Sequence, residues 1–267
     1  MRLPNAPLAE VVFELRWQLQ GGQGQPDVFK SDPAYPLTAP LFSSTMSRAG
    51  FGFRREMSVD KSAPLLGHSI QYRFQKSEAE PFPLIQIGPG IFACNQSTDY
   101  EWSSFKKLAN VSVSALFRSY PAQLPMVPTL FELRYVDAFN KDLIGHNDLT
   151  EFINRNTPGK IILPFLESKS FSGEVAGMLR IDKKFRGIAD EVFSLQVGTG
   201  EKERKPSIVA ISKVVRRARP TDLKGNTQSK VTMIMKWLEQ SHKVTSNFFK
   251  EFVTNDLMKT FKAAKKK

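Results

Sequence analysis

The sequence predicts an α+β fold. A duplicated unit of strand, short helix, three strands and long helix forms a curved, mostly antiparallel sheet, with two long helices on one face. Three observations predict it. The tetrapeptide FELR occurs at Phe13–Arg16 and at Phe131–Arg134, with apolar and aromatic flanks in register (Val12 and Trp17, Leu130 and Tyr135). The order of periodic segments after each copy is the same. The closing helices also correspond, because Phe105 and Trp237, Leu116 and Phe248, Phe117 and Phe249, and Tyr120 and Phe252 all lie 132 residues apart. The boundaries that follow are 1–121 for the first repeat and 122–267 for the second, together one pseudo-two-fold domain.

Each element has a local cause. Residues 10–19 alternate, with Val11, Phe13, Leu15, Trp17 and Leu19 on one face and Glu10, Glu14, Arg16 and Gln18 on the other, which is the pattern of a half-buried strand. Gly21-Gly22-Gln-Gly24 ends it. A short helix is expected near Ala39–Met46. Strands are expected at His68–Lys76 and at Pro83–Gln96, the latter with a bulge or bend at Gly88-Pro-Gly90. Thr98 and Glu101 have capping-box spacing. Phe105, Ala109, Val113, Leu116 and Tyr120 form the apolar stripe of the helix that follows, and Pro121 stops it. The second half repeats this order: a strand at 128–139, a short helix near Asp148–Asn154, and strands near 172–182, 189–198 and 206–217. A long helix from Lys230 to Val253 and a short terminal helix complete it. Each unit thus offers about four strands with one apolar face and a helix to cover it. A helix-grip ligand cradle is the alternative layout.

Composition narrows the classes. At 41% apolar with 21 phenylalanines the chain is globular. It holds no apolar run long enough for a transmembrane helix, and its start lacks the apolar core of a signal peptide. One cysteine, Cys94, set among Ile91, Phe92 and Ala93, reads as a buried strand thiol and fits a cytoplasmic location. The net charge of +12 is unevenly placed: 12 basic against 10 acidic residues in 1–121, 5 against 7 in 122–179, 13 against 6 in 180–230, and 8 against 3 in 231–267. The last third is where a polyanion would bind.

Asn5-Ala-Pro-Leu-Ala-Glu-Val-Val-Phe-Glu-Leu-Arg16 carries the first part of a resemblance. Gly88-Pro-Gly-Ile-Phe-Ala-Cys-Asn95 before Tyr100-Glu-Trp-Ser-Ser-Phe105 is the second. Leu238, His242 and Phe249 followed by Thr254 and Leu257 are the third. Together they resemble a sporadically distributed, uncharacterised prokaryotic protein family of about this length. The resemblance implies a bacterial or archaeal cytosolic protein of patchy distribution. Genes of that type often lie in antiviral defence or toxin–antitoxin loci, beside a gene for a partner protein. It implies no catalytic residue and no cofactor.

Arg48-Ala-Gly-Phe-Gly-Phe-Arg-Arg55 partly matches the aromatic strand of an RNA-recognition motif, but Arg54 and Glu56 stand where Val and an aromatic belong. Phe51 and Phe53 are therefore expected in the core, on a strand equivalent to Gly173–Asp182. Gly198-Thr-Gly-Glu-Lys202 lacks phosphate-loop spacing and reads as a hairpin turn. His68, His146 and His242 have no ligand spacing, and no metal site follows from them. Glu14 and Glu132 each stand two residues from an arginine on one strand face, as ion pairs. The strongest candidate is basic: Lys183, Lys184 and Arg186 in one turn, Lys202, Arg204 and Lys205 in another, and Lys213, Arg216, Arg217 and Arg219 at the end of the last strand. Lysines 236, 243, 250, 259 and 262 follow. These residues would give sequence-tolerant, salt-sensitive contacts to the phosphates of a nucleic acid or to another polyanion. The expected function is non-enzymatic binding, with no cofactor and no membrane. The alternative is a sensor or adaptor for a small ligand or a phage or partner protein, with the charge incidental.

Overall fold

The computed structural model describes residues 5–21, 30–57, 67–97, 99–124, 126–160, 178–184, 191–218 and 225–263; the side chains of 178, 179 and 181–184 lie outside that set. The chain begins with β1 (Leu8–Trp17), α1 (Tyr35–Arg48), β2 (Phe53–Glu56), β3 (Tyr72–Gln75), β4 (Leu84–Gly88), β5 (Ile91–Gln96) and α2 (Trp102–Ser119). It continues with β6 (Pro128–Asn140), α3 (Lys141–Ile144), α4 (Leu149–Asn156), β7 (Met178–Lys184), β8 (Glu191–Lys202), β9 (Lys205–Arg217), α5 (Thr227–Phe252) and α6 (Asn255–Lys262). The strands form one sheet in the order β2-β3-β4-β5-β1-β6-β9-β8-β7, and every pairing is antiparallel. The fold is mixed α+β. No described helix is long and apolar enough to cross a membrane.

The two FELR strands are direct neighbours. Glu14 faces Glu132, Phe13 faces Leu133 and Leu15 faces Phe131, so a local two-fold axis passes between the two glutamates. Counted outward from this seam the halves agree: β5, β4 and β3 on one side match β9, β8 and β7 on the other, with β2 as an additional edge strand among the described residues.

That extra strand arises at Gly88-Pro-Gly90. The segment 83–96 is a tight hairpin of β4 and β5, not one bulged strand. Glycine is required at its turn: a Cβ on Gly88 would stand 1.8 Å from the Ser69 carbonyl oxygen, and Gly90 has φ +74°. The positional counterpart of β7 is therefore β3, not the stretch around Phe53.

Strand alternation sends Phe13, Leu15, Ile85, Phe92, Cys94, Phe131 and Leu133 to one face, all of them buried. The helices cover that face. α2 packs against both α1 and α5. Phe152 of α4 and Phe261 of α6 meet Phe139 of β6 at ring-centroid distances of 4.8 and 6.1 Å. Trp237 of α5 stands over the seam, 6.2 Å from Phe13 and 5.4 Å from Phe131, and so packs against the first aromatic of both FELR copies. The helix starts follow side-chain caps: Asn140, Asp148, Asn226 and Thr254 each accept from a backbone N–H in the first turn of the helix they precede. Helix α2 differs from expectation. Glu101 is its N-cap residue and its carboxylate is taken by Ser103 and Ser104, while Thr98 lies outside the described residues. Helix α1 runs longer than expected because Pro36 opens it in the first turn, where its missing N–H costs nothing.

One buried carboxylate locks the end of the sheet to the helical layer. Asp32 Oδ2 accepts from Trp17 Nε1 at 2.8 Å and from the Gly90 N–H at 3.3 Å. Its Oδ1 accepts from Tyr120 Oη at 2.8 Å and the Ala34 N–H at 3.1 Å. The partners come from β1, the β4–β5 turn, the start of α1 and the end of α2. Replacing Asp32 by Ala leaves these buried donors unpaired, with an expected loss of about 3 kcal/mol, since each orphaned group costs about 1–3 kcal/mol. A fall in the melting midpoint of roughly 6–12 °C follows; a variant that melts with the wild type would show that the four elements are held otherwise.

The β8–β9 connection also departs from expectation. Gly198–Lys202 belongs to β8, and the turn falls at Glu203-Arg204, with φ of +54° and +62° between the paired Lys202 and Lys205. Two consecutive left-handed residues make a type I′ turn, which Asn-Gly fits and Glu-Arg does not. The double substitution Glu203→Asn with Arg204→Gly is expected to stabilise the protein by about 1 kcal/mol, measured by urea denaturation. An unchanged or lowered midpoint would refute strain at this turn.

Candidate functional site

The described basic side chains of the last third are spread over several surfaces. Alternation along β9 puts Lys213 and Arg217 on the sheet face opposite the helices, whereas Arg216 shares the helix-covered face with Phe131 and Val214. There Arg216 stands across from Glu191, whose carboxyl is buried and held above the usual range by that burial, with Arg216 drawing it down. Lys202 turns inward, donating to the Leu8 carbonyl at 3.3 Å, and Lys205 pairs with Asp142 at 3.2 Å. Arg204 is exposed at the hairpin tip. Lys183 and Lys184 lie on β7 with side chains outside the described set, and Arg186 and Arg219 fall outside the described residues. Lysines 236, 243 and 250 are exposed on α5, and 259 and 262 on α6, on the helical side.

What the register assembles instead is a cationic stripe on the sheet face opposite the helices. Arg55 and Arg73 are cross-strand partners on β2 and β3. Arg16 and Arg134 flank the two-fold axis on β1 and β6. Lys213 is the cross-strand partner of Arg134, Arg217 projects from β9, and Arg180 stands exposed on β7. Arg16, Arg134, Arg73 and Arg55 were missed as site residues by sequence reasoning. The signal was present in the period of two, but cations were grouped by proximity in sequence rather than by strand face.

Among the described side chains three carboxylates share this face, and their placement matters. Arg16 Nε donates to Glu14 at 2.6 Å, Arg134 pairs with Glu132 at 3.3 Å, and Lys213 reaches Glu132 at 4.0 Å. These are the ion pairs the sequence suggested. The Glu14 and Glu132 side chains are only 13% and 14% exposed, against 41% and 36% for Arg16 and Arg134. The carboxylates sit low and orient the guanidinium groups, which stand higher and meet solvent first. Because Arg16 uses Nε on Glu14, its two terminal nitrogens are left for a further acceptor. Glu10 accepts from Asn95 Nδ2 at 2.7 Å. On the same face Asn95 Oδ1, Ser194 Oγ and Arg73 Nε are buried polar atoms with no hydrogen-bond partner in the protein, so the polar lining is incomplete by itself.

A second cluster lies under the helices. Tyr100 Oη and Tyr135 Oη are 2.8 Å apart, and Tyr135 Oη is 2.8 Å from His242 Nδ1. Trp102 stacks on His242 with centroids 3.8 Å apart, donates to Glu239 at 3.2 Å, and Lys106 pairs with Glu239 at 2.8 Å. Burial pushes His242 down to about 4, partly offset by Glu239. The ring is neutral near pH 7, and its tautomer sets the direction in which the hydrogen bonds of Tyr100, Tyr135 and His242 run. Burial also holds both tyrosines above the usual phenol range. The network is closed by packing and joins α2, β6 and α5, which is a structural role. His68 and His146 bond Trp17 O and Asn156 Oδ1, and no group of three metal-ligating side chains converges among the described residues. Among the described residues two shallow concavities occur, a polar pocket of about 160 Å³ beside Asp32 and an open depression of about 450 Å³ at the start of α5. Neither is lined by a strand residue.

No protein-family model, no curated protein and no solved structure matches this chain.

Asp137 lies two residues along β6 from Tyr135, opposite a β-bulge between Leu8 and Glu10. Burial raises its carboxyl to about 7, and Lys202 draws it down. Between about pH 4 and 7 the folded carboxyl is protonated while the unfolded one is ionised, so Asp137 lowers stability as pH rises through that window. Asp137→Asn stays neutral. Its stability relative to wild type should rise by a few kcal/mol from pH 4 to 7 and stay level above, as read from urea midpoints across pH. A difference that does not change with pH would show that Asp137 is ionised throughout.

Proposed function

We propose that the protein is a non-enzymatic binding protein that holds a polyanion, nucleic acid above all, on the sheet face opposite its helices. The observation that supports this reading is the strand register, which puts Arg55, Arg73, Arg16, Arg134, Lys213 and Arg217 on one face of a continuous sheet. From β2 to β9 this stripe crosses six inter-strand steps, about 29 Å at about 4.8 Å each. That is long enough to meet several phosphates of one strand. Arginine suits the task because its planar fork donates two parallel hydrogen bonds to a phosphate. Sequence preference is not built in, since phosphate contacts position a protein without reading bases.

The family resemblance extends the proposal to an antiviral defence or toxin–antitoxin setting with a partner protein. One observation favours a second, adaptor reading: Leu37 and Leu41, one helical turn apart on α1, are 60% and 56% exposed, an apolar step suited to a protein partner.

Fluorescence anisotropy across salt concentrations tests the polyanion reading. With about five phosphates neutralised, the log–log slope on duplex DNA should be roughly −4. Arg217→Glu and Arg73→Glu, at opposite ends of the stripe, should both weaken binding and flatten the slope. Lys107→Glu, exposed on α2 among the helices, should do little. Equal loss from all three variants, or no binding at low salt, would overturn the proposal and favour the adaptor.

A further inference from the structure

Phe53 is not a core residue. Cross-strand pairing with Gln75 puts it on the same face as Arg55 and Arg73, away from the helices, and its ring is half-buried at the sheet edge. Phe51 alone enters the core, at 7% exposure. The neighbouring Arg54 points to the helical side, with its guanidinium 5.2 Å from the Tyr72 ring centroid and a bond to Ser43 of α1 at 3.4 Å. This fastens the edge strand and fixes which way Phe53 looks. Arg55 stands over the Phe53 ring at 5.8 Å from its centroid, and its other contact is an exposed 3.6 Å pairing with Glu78. Beside them Arg73 Nε is buried without an acceptor, and one strand-pair further along Asn95 Oδ1 is buried without a donor.

An aromatic ring and two guanidinium groups on one polar face are the parts of a platform for unpaired bases. Rings stack on bases of any sequence, while adjacent cations hold the backbone. A duplex presents phosphates but keeps its bases stacked inside, and a sulfated polysaccharide has no bases to offer. Resting on the polyanion reading above, we infer that the ligand is a single-stranded nucleic acid, with Phe53 as a stacking ring and Arg55 and Arg73 holding the adjoining phosphates. The strand then runs from the β2 edge toward Arg16 and Arg134 at the seam.

The test compares binding of labelled single-stranded DNA and RNA of about 12 nucleotides, a duplex of the same length, and heparin, to the full chain and its variants. Phe53→Ala should weaken single-strand binding about tenfold and leave duplex and heparin binding unchanged. Phe53→Leu, which keeps apolar bulk but has no π face, should lose as much, and Phe53→Trp should restore it. The DNA and RNA arms separate the two sources of unpaired bases, and preference for either over duplex supports the inference. Equal single-strand binding by wild type and Phe53→Ala would overturn it while leaving the polyanion reading intact, as would rescue by Phe53→Leu or a parallel loss on all ligands with a lowered melting midpoint. Failure of wild type to bind any of the four would overturn both.

Discussion

The structure depends on the antiparallel pairing of the two FELR strands. Among the described strands the halves of the sheet meet through β1 and β6, and their register decides which side chains of each half share a face. A slip by one residue would turn Phe13 and Leu15 outward and drive Glu14 and Arg16 under the helices. Two features hold the register. Phe13 and Phe131 both pack on Trp237, which fits only if both rings emerge on the helical side. Glu14 and Glu132 are like charges placed directly opposite each other, an arrangement that is unfavourable alone. It is tolerated because Arg16, Arg134 and Lys213 neutralise the pair.

Much of the framework is legible in the sequence, because it depends on local periodicity. The alternation of Val11 to Leu19 and the stripe from Phe105 to Leu116 each report a single element's buried side. What periodicity does not report is which elements meet. Gly88-Pro-Gly90 is compatible with a bend or a reversal, and the pairing of β4 with β5 across it decides for the reversal. The turn at Glu203-Arg204 carries no glycine or asparagine and so gives no turn signal.

The candidate face is harder to read for the same reason. Arg16 and Lys213 lie far apart in sequence, two strands apart in space, and on one side of the sheet. Arg216 and Arg217 are adjacent in sequence and on opposite sides. Charge counted along the chain located a basic third, but in the folded protein that third is divided between the sheet face, the hairpin and the outer helices. The basic residues that converge come from both halves, including the nearly neutral first one. Low-lying carboxylates restrict how those cations move, so that a ligand meets an arranged set of guanidinium groups rather than flexible single charges.

The position of the seam also bears on how the chain is made. β1 leaves the ribosome before both of its neighbours, β5, about 80 residues later, and β6, about 115 residues later. At roughly 5–20 residues per second the strand waits several seconds for its first partner and longer for its second. During that time Val11, Phe13, Leu15 and Trp17 belong to a strand with unpaired edges, the kind of segment that joins other chains. Glu10, Glu14 and Arg16 interrupt its apolar run on the other face. The same charges that later frame the centre of the polar face protect the nascent chain from pairing with a stranger before its own second half exists.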